Sequence, residues 1–146
     1  MARSEEVHPR INAVVTPMFD AALRQARDGV SGSLAGVPFL VKDLNYVKGV
    51  RCSLGSRLWA DFVPDHDGEI VTRYRKAGLV LVGKSNTPEV GLAATTESVF
   101  RGECHNPWVL SRPAGGSTCG TAASGARGDL PWMQPPDRSR TRPLQP

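Results

Sequence analysis

Two short apolar runs, Gly36-Val37-Pro38-Phe39-Leu40-Val41-Lys42-Asp43 and Leu79 to Val82, constrain this chain more than any other feature. Each is bounded by turn residues and is too short for a buried helix, so each reads as a strand covered on both faces. Between them, Asp67-Gly68-Glu69 opens a helical pattern in which Ile70, Tyr74 and Ala77 recur on one face, ending before Gly78. Strand, helix, strand is the pattern of a parallel pair, which places the chain in the α/β class.

The remaining segments fill out that class. Residues 11–15 read as extended, and Met18 to Arg27 as a helix with Phe19, Leu23 and Ala26 inward. A loop is expected over 44–66, a short helix near 88–93, and another after Gly120. No internal repeat is present. No apolar run reaches the roughly 18 residues of a membrane span, and no signal peptide opens the chain.

Two places carry candidate chemistry. Alternation along 37–42 puts Lys42 on the face of Leu40, among apolar groups, where desolvation lowers an amine's pKa toward the range of a general base. Gly115-Gly116-Ser117-Thr118-Cys119-Gly120-Thr121, after Asn106-Pro107-Trp108, delivers a hydroxyl in a loop whose glycines permit close approach and expose N–H groups to an oxyanion. Lys84 also follows an apolar strand and rivals Lys42 as the base on these grounds. Thr95, Thr96 and Ser98 are candidate hydrogen-bonding partners of the glycine loop, or backbone caps.

In this order the two elements resemble the amidase signature family of serine amidohydrolases. Arg10-Ile11-Asn12-Ala13-Val14-Val15, Lys84-Ser85-Asn86-Thr87-Pro88-Glu89, Gly91-Leu92-Ala93-Ala94-Thr95-Thr96-Glu97-Ser98 and Asn106-Pro107-Trp108 extend the likeness over residues 8–123. The resemblance implies an α/β/α sandwich with a mixed central sheet, here incomplete. It implies hydrolysis of carbon–nitrogen bonds in linear amides, without a cofactor or metal, on a small-molecule substrate. It assigns Lys42 as base and Ser117 as the relay serine. Lys84, Thr95, Thr96, Gly115 and Gly116 become supporting residues. A second serine is the family's nucleophile.

That nucleophile has no counterpart here. The family carries it two dozen residues beyond the relay serine, in a Gly-Ser-Ile segment followed by Pro-Ala. In this chain the region is a Pro/Arg-rich tail, 124–146, holding five of the 12 prolines and four arginines against two aspartates. Ser139, between Arg138 and Arg140, has no glycine before it and reads as a solvated tail residue. The tail is expected to be disordered. Read from each codon's third base, Pro136 to Pro146 permits Gly-Ser-Ile and, after two residues, Pro-Ala-Ala. That points to a shifted reading frame and an inactive, truncated product. Cys119 and Ala114 also replace residues usual in the family's loop.

Composition excludes other classes. Half of the net charge of +4 lies in the tail, without interleaved aromatics, which argues against nucleic acid. Three cysteines without regular spacing argue against a disulfide framework or zinc module and for a reducing cytoplasm. The oligomeric state is open. A non-catalytic binding module using the residual cleft is the alternative reading.

Overall fold

The computed structural model describes residues 10–116, 119–126 and 132–133. Its centre is a four-stranded sheet in the order β1-β3-β2-β6, from β1 (Val14–Pro17), β2 (Pro38–Lys42), β3 (Val80–Ser85) and β6 (Trp132–Met133). β2 lies parallel to β3 and to β6, while β1 runs antiparallel to β3, so the sheet is mixed. A two-stranded hairpin, β4 (Glu97–Ser98) with β5 (Gly102–Glu103), stands apart from it.

The alternation of β2 and β3 divides the core in two. Phe39, Val41 and Leu81 pack with Val47, Leu79 and Val71 of helix α2 (Glu69–Lys76). Leu40, Val80 and Val82 pack on the other face with Val14 and with Ala22 of helix α1 (Phe19–Asp28). A third cluster joins Ile11, Ala13, Cys104, Ala114 and Ala123, the last from helix α3 (Cys119–Ala126). Each buried aliphatic side chain contributes about 1.5–3 kcal/mol, so these layers hold the sheet between its helices.

Several expected elements shift for identifiable reasons. The first strand begins at Val14 because Asn12 takes a left-handed φ of 48°. Its amide is held by the Arg101 and Glu103 carbonyls at 2.6 and 2.9 Å. In α1 the buried residue is Ala22, with Leu23 40 % exposed, so Phe19 and Ala22 form the inward face rather than Phe19, Leu23 and Ala26. In α2 Val71 is buried and Ile70 exposed. Both misreadings arise because amphipathic spacing admits neighbouring faces when the helix is short.

The helix expected near 88–93 is a single 3-10 turn, Glu89–Gly91, in which Val90 adopts φ 51°. β3 continues to Ser85, so Lys84 lies within a strand rather than beyond it. α3 extends to Ala126, and Trp132–Met133 pair with Phe39 and Leu40, so described structure continues past residue 123. The rest of the tail lies outside the described residues.

Gly120 governs how α3 docks. A Cβ there would meet the Ala13 oxygen and the Asn86 nitrogen at 2.6 Å, both backbone atoms. Gly120→Ala is therefore expected to destabilise the chain by about 1–3 kcal/mol through overpacking, although alanine is the better helix former by roughly 1 kcal/mol. Urea denaturation measures this. A midpoint at or above that of the parent chain would contradict the docking role.

Candidate active site

Lys42 is the last residue of β2 and is 8 % exposed. Its parallel partner in the ladder is Ser85, and paired residues of parallel strands point to the same face. The Ser85 hydroxyl lies 2.9 Å from the Thr121 hydroxyl in the first turn of α3. Thr121, in the first turn of the helix after the glycine pair, therefore lies on the same face of the sheet as Lys42.

The loop is held by the segment preceding the hairpin. Gly115 forms a bridge with Thr95, and the Gly116 N–H donates to the Ala94 carbonyl. A Cβ on Gly116 would sit 2.7 Å from the Ala93 oxygen, so that position requires glycine. Ala114 donates to the Cys104 carbonyl at 2.7 Å, and Cys104 to the Thr96 carbonyl at 2.9 Å. Thr95 and Thr96 thus meet the loop and its approach through their backbones. The Thr95 hydroxyl donates to Glu97 at 3.4 Å, and the Thr96 hydroxyl is buried without a partner among the described residues. Ser98 donates to the Gly55 carbonyl instead of to the loop. Ser117 itself lies outside the described residues, as does Ser139.

Lys84 points the other way. Its ladder partner is Val41, on the α2 face, where its ammonium lies 2.9 Å from Asp43 Oδ1 and donates to the Arg51 carbonyl at 3.1 Å. Both charged side chains are 0–1 % exposed. The contact with Oδ1 is an ion pair rather than an aligned hydrogen bond. Asp43 Oδ2 accepts from the Ser53 hydroxyl at 2.5 Å and the Ser53 N–H at 3.2 Å. Arg101 Nε donates to the Ser53 hydroxyl at 3.1 Å, with its Nη2 3.9 Å from Asp43 Oδ2. Burial lowers the Arg101 guanidinium from its ordinary value, and the Asp43 charge opposes that shift. Burial also raises the Cys52 thiol, against the pull of Lys84, so this cysteine is poorly disposed to act as a nucleophile.

Asp43 and Ser53 form a buried polar cluster with Lys84 and Arg101 that the sequence does not single out. The available signal is a carboxylate directly after a buried strand and a lysine ending its neighbour, two opposite charges that a parallel register brings together. The landmark asparagines also gain physical roles. Asn86 donates to the Asn12 carbonyl at 3.1 Å, and its backbone N–H donates to the Ala13 carbonyl at 2.8 Å. Asn106 Oδ1 accepts from the Trp108 and Val109 N–H groups, turning the chain back toward the glycine loop.

The Amidase family profile matches residues 1–132. The chain belongs to the amidase family. It is 43 % identical over 127 residues to the 6-aminohexanoate-cyclic-dimer hydrolase of Paenarthrobacter ureafaciens, covering 85 % of this chain and 26 % of that protein. It is 40 % identical over 131 residues to a subunit of the glutamyl-tRNA(Gln) amidotransferase of Geotalea daltonii, covering 85 % of this chain and 27 % of that one. The solved 6-aminohexanoate cyclic dimer hydrolase complexed with substrate superposes with a TM-score of 0.85 at 40 % identity, over 90 % of this chain and 28 % of that structure. The native peptide amidase of Stenotrophomonas maltophilia superposes with a TM-score of 0.80 at 30 % identity, over 90 % and 30 %. This amidase-family chain therefore spans about a quarter of the length of the curated relatives it matches. Among its described residues no helix is long and apolar enough to cross a membrane.

Proposed function

We propose that this chain carries the base-and-relay part of an amide-hydrolysing site, with Lys42 as base and Ser117 as relay. The observation that carries the reading is the register: Lys42 pairs with Ser85, whose hydroxyl meets Thr121 of the helix that follows Ser117. In the complete reaction the neutral Lys42 amine takes the Ser117 proton, and Ser117 takes that of the nucleophilic serine. The nucleophile adds to the amide carbonyl, and loop N–H groups hold the oxyanion. The proton then returns through the relay to the leaving amine, and water releases the acyl group. Lys84 supports the site from the opposite face, since an ammonium locked to Asp43 without solvent contact is poorly placed to accept a proton.

The substrate class is a small linear or cyclic carboxamide, by analogy with the hydrolase relatives. The 146 residues hold no Gly-Ser-Ile segment after the relay serine. Hydrolysis by these residues alone is accordingly expected to be absent, and a reading-frame change ahead of Pro136 accounts for the missing nucleophile. Incubation with an activated amide or ester, followed by intact mass measurement, tests this. The expected result is no covalent adduct and no turnover above buffer. An acyl adduct that depends on Lys42 or Ser117 would overturn the assignment of an inactive half-site.

A further inference from the structure

Asp43 is the point at which four parts of the chain converge. Its backbone N–H donates to Ser85 at 3.1 Å, and its carbonyl accepts from Leu54 at 3.1 Å. Its carboxylate meets Lys84 of β3, Ser53 of the 51–54 loop, and Arg101. Arg101 belongs to the turn between β4 and β5, and that hairpin follows the 94–96 backbone holding Gly115 and Gly116. The carboxylate adjoining Lys42 in sequence is thereby tied, through Ser53 and Arg101, to the segment that holds the glycine loop.

We propose that Asp43 is a positioning residue for Lys42, fixing the end of β2 relative to the glycine loop through Ser53 and Arg101. The inference rests on the role of Lys42 in the proposed function, but its physical content can be measured without turnover. Two opposed ties are involved. The Lys84 ion pair fastens Asp43 within the sheet, and the Ser53–Arg101 link fastens it to the loop side. Loosening only the second should release Lys42 locally while Lys84 stays buried.

The four lysines of the chain make this readable. Lys48 and Lys76 are exposed and report intrinsic reactivity, Lys84 is 0 % exposed and reports global opening, and Lys42 reports the strand end. The 146-residue chain is treated with an amine-reactive ester, and acylation at each lysine is followed by peptide mass spectrometry. In Arg101→Met, Lys42 is expected to react about tenfold faster relative to Lys48 and Lys76, with Lys84 still protected. Arg101→Lys, which keeps a charge beside Asp43, should return Lys42 to within about twofold of the parent. Should Arg101→Met expose Lys84 too, Ser53→Ala decides by the same ratio, with about a threefold rise expected at Lys42 alone. An unchanged Lys42 rate, or a Ser53→Ala chain in which Lys42 and Lys84 rise together, overturns the positioning role. Failure of the function reading is separate: it would appear as activity surviving Lys42→Ala in a frame-restored protein, whatever the labelling ratio.

Discussion

Replacing Lys84 with methionine is expected to cost about 3–5 kcal/mol, because it removes the buried partner that faces the Asp43 carboxylate, itself 1 % exposed. Arg101 cannot compensate fully, since its guanidinium lies 3.9 Å from the carboxylate. For a domain of this size total stability is about 5–15 kcal/mol, so the single substitution removes a large share. Asp43→Asn should cost a similar amount by stranding the Lys84 ammonium. The double substitution Asp43→Asn with Lys84→Met removes both charges and should lose much less than the sum. Urea denaturation of the four proteins closes this cycle. Single substitutions costing under about 1 kcal/mol, or strict additivity, would mean that the pair is not coupled as its geometry requires.

The α/β class is readable in the sequence because β2 and β3 are apolar on both faces and a helix connects them. That leaves few arrangements other than a parallel pair. The buried placement of Lys42 at the end of β2 follows from the same run. Helix faces are less legible: in α1 and α2 the inward residues Ala22 and Val71 sit one position away from the expected Leu23 and Ile70. With so few turns, a shift of about 100° leaves the apolar count almost unchanged, and tertiary packing decides.

The turn of 3-10 helix at Glu89–Gly91 is illegible for a different reason. Val90 is held at positive φ by donating to the Leu54 carbonyl at 2.7 Å, and Leu54 is itself at φ 52°. Two strained residues that support one another across 36 positions leave no local signature. The Asp43 hub is hidden similarly, because Ser53 and Arg101 are ordinary surface residue types until the fold brings them to one carboxylate. The backbone role of Thr95 is hidden as well, since a side chain invites a side-chain explanation.

The central claim is that the base and relay are encoded here, while the nucleophile segment is not. The most direct test is the rate of amide hydrolysis by the protein expressed after the frame is restored ahead of Pro136, measured beside the 146-residue chain. Removing a nucleophile from such a unit typically costs on the order of 10⁶ in kcat, so the restored protein should turn over and the present chain should not. Alanine at Lys42, at Ser117 or at the restored serine should each return the rate to background. A restored frame that does not encode Gly-Ser-Ile, a restored protein without amide hydrolysis, or equal hydrolysis by both proteins would contradict the account.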